Sequence, residues 1–454
     1  MAGTVWTATA HAITAVIGSG VLGLPWSVAQ LGWVFGPIGL LGCAYVTYFT
    51  ALLLTDCYRT PDGKRNHTYM DVAKSYLGFM LLTLHLGPKS VFICGITQYA
   101  MLWGSMIGYT VTALISMMAI KRTDCLHYKG PDAECNGSGN WFIFMFGLIE
   151  VVMSQFPNLE EITVVSWIAA AMSFAYSLIA LYLSTSKLAS NHRAQGTILG
   201  VKVGEFGVPM STKIWQSFQA MGNIAFAYTY SMLLIEIQDT LKPVPPENET
   251  MRRSSLYGIG ITTIFYVSVG CLGYAAFGNN APGNIITGFQ EPFWLIDLAN
   301  IACIIHLIGA YQVFAQPLFA AYEEFLSKKY SKSPFFHKKY IVPLFSKTRV
   351  FQFTLSKIVL RSAFVVLTTI IAMMVPFFNA VVGLLGAIAF WPLTVYFPIA
   401  VYMARAHINK GEWRWLALNL LNVVALVVSL LAAAASIINI IEMLKHVVFF
   451  KTQL

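Results

Sequence analysis

The chain is organised as apolar runs of about 20 residues, the length a helix needs to cross a hydrocarbon core, and polar residues collect in the segments between them. Eleven runs can be marked: Trp6 to Leu31, Pro37 to Tyr58, Ser90 to Ala119, Asn140 to Phe156, Thr163 to Leu183, Trp215 to Gln238, Leu256 to Ala276, Phe293 to Tyr322, Thr354 to Val375, Ala380 to Met403 and Trp415 to Leu444. The pattern predicts an all-α integral membrane protein of eleven transmembrane helices forming one domain. The first run differs from the rest. From Ala10 to Gln30 it reads AHAITAVIGSGVLGLPWSVAQ, with Gly18, Ser19, Gly20, Gly23 and Pro25 at mid-length. Inside a helix, glycine costs about 1 kcal/mol against alanine and proline about 3 kcal/mol. A break at membrane depth frees backbone groups that lipid cannot satisfy, so they must line a cavity. The half-helix that follows directs its N–H groups and positive dipole end at an anion such as a carboxylate. On this stretch alone, a kinked helix packed through small residues is the alternative.

Spans one to five (residues 6–183) and six to ten (215–403) form two sets of five, and the last span (415–444) stands apart. Five is odd, so the second set starts on the opposite side of the membrane, as an inverted repeat requires. An amphipathic piece, Tyr69 to Leu77, follows the second span, and a connection containing Asn280 to Glu291 follows the seventh. The symmetry predicts a break in the sixth span as well. That span, AMGNIAFAYTYSMLLIEIQDT from Ala220, offers Gly222 and Asn223 but no proline.

Composition excludes a soluble protein: 57% of residues are hydrophobic and 11% charged, with a mean hydropathy of +0.65. The net charge of +9 comes without any nucleic-acid motif and fits basic loops facing the cytoplasm. With the N-terminus inside, 20 of the 29 Lys and Arg residues lie in inner loops, so the positive-inside rule places the N-terminus in the cytoplasm and the C-terminus outside. No basic segment precedes the first run, which is expected to be an ordinary span and not a cleavable signal. Asn136-Gly-Ser138 is a glycosylation sequon in a predicted outer loop, and Cys125 and Cys135 beside it suit a disulfide on an oxidising face. The other five cysteines show no metal spacing and read as small apolar side chains.

No catalytic motif is present, so an enzyme is not expected. The informative residues are ionisable groups inside spans, which are costly in lipid and usually face a cavity or one another. His11 precedes the glycine cluster by about two turns and His306 lies mid-span in the eighth; an imidazole exchanges protons near neutral pH. Glu236 lies in the inner half of the sixth span, Glu150 midway along the fourth, and Asp239 near the membrane surface. From Glu291 to Tyr322 there is no serine or threonine. A hard cation wants oxygen ligands such as hydroxyls, so this span favours protons over sodium.

Four stretches carry a family resemblance: TAHAITAVIGSGVLGLPWSVAQLGW (Thr9 to Trp33), FQAMGNIAFAYTYSMLLIEIQDT (Phe218 to Thr240), IHLIGAYQVFAQP (Ile305 to Pro317) and VVGLLGAIAFWPLTVYFPIAVYM (Val381 to Met403). Together they resemble the plant amino acid permeases of the amino acid/auxin permease family, within the amino acid–polyamine–cation superfamily. The resemblance implies eleven spans, a LeuT-like five-plus-five inverted repeat, and proton-driven amino acid uptake across the plasma membrane. The family's two intramembrane histidines match His11 and His306. Gly23-Leu24-Pro25 departs from the Ser-Leu-Ala usual in the subfamily and is similar to its lysine/histidine-transporter relatives. Asn223 stands where some members carry an acidic residue.

The expected mechanism is alternating access, with the proton as coupling ion and no other cofactor. The substrate carboxylate is expected on Gly18, Ser19, Gly20 and Val21, with Thr14 and Ile17 beside them. The ammonium is expected on carbonyls of Ala225, Phe226, Ala227 and Tyr228, and Asn223, Tyr99 and Asn300 complete the pocket. The proton is expected on His306, His11 or Glu236. The expected partners are an amino acid, protons and the bilayer, with no nucleic acid. A carrier of auxin or another carboxylate, and a sensor that binds amino acids without net transport, remain open on sequence.

Overall fold

The first apolar run folds as two helical pieces. In the computed structural model, which describes residues 3–60, 62–78, 87–130, 133–135, 138–155, 159–204, 207–343 and 350–445, helix α1 (Val5–Val16) starts on a capping box in which Thr4 and Thr7 bond each other's backbone N–H groups. It stops at Ile17 and Gly18, both extended. A 3-10 turn, Ser19–Gly23, leads into α2 (Leu24–Thr55), whose start carries Pro25 where no amide is needed. α2 runs through the predicted connection between the first two spans. Only Gly32 there is non-helical (φ 81°, ψ −177°), and a Cβ at that position would lie 2.2 Å from the Gly200 nitrogen. Positive φ and close backbone approach together require glycine.

The amphipathic piece after the second span is α3 (Tyr69–Leu77), capped by Thr68 and Asp71. There follow α4 (Gly87–Lys129), α5 (Asn140–Met153) and α6 (Leu159–Asn191). The sixth run is divided into α7 (Met210–Ala227) and α8 (Ser231–Asp239), and α9 (Glu247–Phe277) and α10 (Phe293–Lys329) come next. A short helix, α11 (Pro334–His337), precedes an antiparallel hairpin of β1 (Lys339–Pro343) and β2 (Val350–Thr354), paired from Lys339↔Thr354 to Pro343↔Val350. This hairpin is the one departure from an all-helical chain among the described residues, in a connection whose charge alone was legible. The chain closes with α12 (Leu355–Met374), α13 (Phe378–Ala389), α14 (Phe397–Arg405) and α15 (Trp413–Leu444). A π-helical turn, Phe390–Tyr396, joins α13 to α14, an interruption of the tenth run around Pro392, whose ring has no amide hydrogen to give the helix.

Nine helical segments among the described residues are long and apolar enough to cross a membrane, and α5 is a shorter apolar helix. A count of eleven requires dividing Ser19–Thr55 at Gly32 and including α5 as well. The chain is a multi-pass membrane protein, and its described residues group into two compact units that cut across the two five-span sets. The first comprises Met1–Met101, Ser177–Phe289 and Phe378–Lys445; the second comprises Leu102–Tyr176 and Gln290–Phe377.

Within the first unit, α7 and α13 meet through glycines. A Cβ on Gly386 would lie 2.0 Å from the Gly222 carbonyl oxygen, and one on Gly222 would lie 2.5 Å from that of Gly383. Small residues let helix backbones approach where lipid gives no hydrophobic drive. The polar connection after α2 is tied to the ends of α8 and α9. Asp239 accepts from the Tyr58 hydroxyl at 2.6 Å and pairs with His67 Nδ1 at 2.9 Å. Glu247 pairs with Arg59 at 2.6 Å and Arg65 at 3.0 Å. Asp239 therefore anchors this loop to the end of α8.

Candidate functional site

Both interruptions lie in the first unit, and they touch. A Cβ on Gly20 would stand 3.1 Å from Phe226 Cδ1 and 3.4 Å from the Ala227 Cα. Without a side chain at Gly20 the first break approaches the second this closely; a Cβ there would press on the Phe226 ring. Ile17, Ser19, Gly20 and Val21 are buried there. The N–H groups of Gly18, Ser19 and Gly20 donate to no described group, whereas Ile17 still bonds Ile13 at 2.8 Å and Val21 bonds Gly18 at 3.3 Å. Three consecutive donors are thus open at a buried turn, the arrangement that receives an anion.

The second break is chemically different. Tyr228 N donates to Ala225 O at 3.2 Å, Thr229 N to Phe226 O at 3.1 Å, and Tyr230 N to Tyr228 O at 3.0 Å. The Thr229 hydroxyl also donates to Ala225 O at 2.8 Å. Of the four carbonyls expected to hold an ammonium group, those of Ala225, Phe226 and Tyr228 already accept a bond of ordinary length. The Ala227 carbonyl has only a long contact of 3.4 Å with the Tyr266 hydroxyl. That same hydroxyl donates to Val16 O, the last carbonyl of α1, at 2.6 Å. Tyr266, fully buried on α9, therefore holds the carbonyl ends of both breaks with one O–H. Nothing in the sequence singled it out, because a tyrosine in an apolar run gives no periodic signal of its own.

Asn223 donates from Nδ2 to Asn379 Oδ1 at 3.3 Å, and its own Oδ1 is buried without a partner among the described residues. Asn379, at the start of α13, also lies against the first break: a Cβ on Gly23 would be 3.2 Å from its Oδ1, and one on Gly283 would be 2.7 Å from its Nδ2. Asn379 was missed in the sequence. Its signal was an amide directly following Phe377 and Phe378 at a span's start, where a loop residue is equally expected. The Thr14 hydroxyl is bonded to Ala10 O at 2.8 Å, so it acts within its own helix. Tyr99 is 40% exposed. A separate cavity of about 610 Å³ in this unit touches Gly222 and Ala225 but none of Gly18 to Val21; Leu31, Val46, Met221 and Val424 give it an apolar wall.

The expected proton carriers are dispersed. His11 is exposed on α1. Glu236 on α8 is half-buried, and its Oε2 has no partner among the described residues. His306 belongs to the second unit, where it is buried, bonds Ala169 O through Nδ1 at 2.9 Å, and has no partner at Nε2 among the described residues. Asn300, in the same unit, donates to Ile296 O at 2.9 Å and has no partner at Oδ1 among the described residues. Cys125 and Cys135 form a disulfide with a Cα–Cα distance of 5.9 Å. Asn136 lies outside the described residues.

Comparison with known proteins agrees with a transporter. The profile of the family described as "Transmembrane amino acid transporter protein" matches residues 1–442. The chain is 51% identical to amino acid permease 8 of Arabidopsis thaliana, over 99% of this chain and 93% of that relative. It is 28% identical to lysine histidine transporter-like 1 of the same plant, over 98% and 90% respectively. The crystal structure of MhsT in complex with L-phenylalanine shares the fold, with a TM-score of 0.54 at 10% identity, covering 94% of this chain and 98% of that one. The relatives are named as permeases and transporters, not enzymes.

Proposed function

We propose that this chain, which belongs to the transmembrane amino acid transporter family, imports amino acids together with protons by alternating access, with no cofactor beyond the coupling proton. The observation that carries the reading is the contact between the two breaks. Open N–H groups at Gly18, Ser19 and Gly20 supply a carboxylate site, and the Ala227 carbonyl supplies the least committed acceptor for the ammonium group. Opposite partial charges a few ångströms apart suit the two ends of a zwitterion. Asn223 and Asn379 border this site and are suited to position the substrate's Cα substituent. Amino acids as the cargo are further supported by what the relatives are named for.

Alternating access needs half-helices that tilt while a substrate site persists. The short pieces α1 and α8 flank the breaks, and the Tyr266 hydroxyl, bonded at the break of each run, is suited to keep the two hinges in register. Each proton entering down the membrane potential supplies about 2.3 kcal/mol per 100 mV. Since about 1.4 kcal/mol is a factor of ten, one proton suffices to concentrate a neutral solute more than tenfold. The missing hydroxyls between Glu291 and Tyr322 support protons over sodium. Loop charge supports a cytoplasmic N-terminus and an external C-terminus. The Cys125–Cys135 disulfide supports an oxidising face for that loop, and hence the plasma membrane. The test is uptake of labelled amino acids by cells lacking their own permeases, at acid and neutral pH, with and without a protonophore. Uptake that is faster at acid pH and abolished by the protonophore is expected; uptake indifferent to both would overturn proton coupling.

A further inference from the structure

The second unit holds a carboxyl group that the site above does not use. Glu150, on α5, has no solvent exposure. Its Oε2 accepts from Gln312 Nε2 at 2.7 Å, and its Oε1 has no partner among the described residues. Gln312 Nε2 also reaches the Ser154 hydroxyl at 3.2 Å, and the Ser154 carbonyl accepts from Arg361 Nη1 at 2.9 Å. Arg361 Nε in turn donates to Glu323 Oε1 at 2.6 Å, and Lys357 Nζ lies 3.9 Å from the other Glu323 oxygen. Side-chain exposure rises along this series, from 6% at Arg361 to 16% at Glu323 and 43% at Lys357. The cluster runs from a dry carboxyl to a wet ammonium.

We infer that Glu150 carries the coupled proton, balanced in its ionised form by the Arg361–Glu323–Lys357 cluster. The inference rests on the proton-coupled reading and assigns its proton site. A carboxylate buried alone is prohibitively costly, and one beside a fixed, fully matched cation would stay ionised. Glu150 is neither. The cluster has two cations and two carboxylates, so it is neutral with Glu150 ionised and singly positive with Glu150 protonated. Arg361, already held by Glu323, reaches Glu150 only through Ser154 and Gln312, so it supports the charge without locking it. Tyr311, on α10, interacts electrostatically with Glu150; Arg361 on α12 reaches it through Ser154 and Gln312, with Glu323 of α10 and Lys357 of α12 beyond. No other titratable side chain lies on α5. His306 differs in that, among the described residues, it bonds the Ala169 carbonyl and no carboxylate or cation. In the proposed cycle a proton from outside adds to a Glu150 carboxylate oxygen with no other bond made or broken, and it leaves toward the cytoplasmic side after substrate release.

The test uses the purified full chain in liposomes with a mixture of labelled proteinogenic amino acids and a lumenal pH dye. Glu150→Gln should keep substrate exchange without a gradient within about twofold, while accumulation driven by an inward proton gradient falls roughly tenfold or more and the lumen no longer acidifies. A Glu150→Gln protein that accumulates substrate and acidifies the lumen like the parent would overturn the assignment. A parent protein that exchanges substrate but never acidifies the lumen would instead overturn proton coupling itself. Should Glu150→Gln fail to insert, Glu150→Asp and infrared spectroscopy decide. The parent should show a carboxylic-acid C=O band that disappears as pH rises, and Glu150→Asp should move it; an unmoved band would overturn the assignment.

Discussion

The two breaks sit against each other and yet are built in opposite ways. The first is made by glycines and leaves three donors open at Gly18, Ser19 and Gly20; the second contains Tyr228, Thr229 and Tyr230 and closes its own amides onto Ala225, Phe226 and Tyr228. An interrupted helix therefore does not by itself make an anion site. What matters is whether the chain leaving the break turns its N–H groups back onto local carbonyls. The 3-10 turn at Ser19–Gly23 starts after an extended Gly18 (φ −131°, ψ −161°), which carries the amides away from the last carbonyls of α1. Tyr228 (φ −100°, ψ 4°) and Tyr230 (φ −121°, ψ −7°) hold ψ near 0°, the geometry of a tight turn, so the amides here find acceptors two or three residues back.

The strongest way to break this contrast is Gly20→Val. The added branches meet Phe226 and the Ala227 backbone, and overpacking of this kind costs about 1–3 kcal/mol. Uptake should fall by roughly five- to 150-fold with the protein still present in the membrane, measured as labelled uptake normalised to membrane abundance; unchanged uptake would move the carboxylate site elsewhere. Tyr266→Phe comes next, since it removes the one hydroxyl shared by both breaks and leaves the buried Val16 carbonyl unpaired, at a cost of about 1–3 kcal/mol. KM should rise and thermal stability fall together; a stability loss with unaltered KM would show that the two breaks need no common tether.

Asn379→Ala is expected to be milder. Losing its 3.3 Å bond with Asn223 is worth about 0.5–1.5 kcal/mol, so KM should rise between roughly twofold and tenfold, with the size of the change depending on the amino acid offered. Equal loss for all substrates would assign Asn379 to the helix contact alone. The smallest effect concerns α8, whose end at Asp239 is held by His67. The hydrogen bond to Asp239 raises the His67 pKa above its ordinary value. A raised folded-state value means that the contribution is complete at pH below the unfolded pKa and fades as pH rises through the folded one. The thermal midpoint should therefore decline slightly above neutral pH, and His67→Gln should flatten that decline; an identical slope in both proteins would remove His67 from the anchor.

Much of the fold was written in the run lengths. Tyr69–Leu77 was legible as an amphipathic helix because its cap residues Thr68 and Asp71 and its apolar stripe lie within one local stretch. The break in the first span was legible because Gly18, Gly20, Gly23 and Pro25 are each poor inside a helix whatever surrounds them. The break in the sixth was predicted from symmetry, not composition, and the residues that occupy it are compatible with a continuous helix. The site was less visible. Tyr266 and Asn379 are ordinary where they stand in the chain, and only the approach of α9 and α13 to the breaks gives them a role. The Ala225 and Phe226 carbonyls were expected to be open, but local turns that no residue pattern specifies had already engaged them.

The sequence by itself determined that the chain is a multi-pass helical membrane protein, where its first helix must fail, and which family its motifs belong to. The first two follow from apolar length, glycine and proline, and the third from the resemblance of four motifs; all are properties of consecutive residues. Only the tertiary structure decided that the two breaks meet at Gly20, that one tyrosine hydroxyl serves both, and that Glu150 lies in a series ending at a half-exposed lysine. These depend on residues scores or hundreds of positions apart, and a hydrogen bond of about 3 Å is set by packing, which no local pattern encodes.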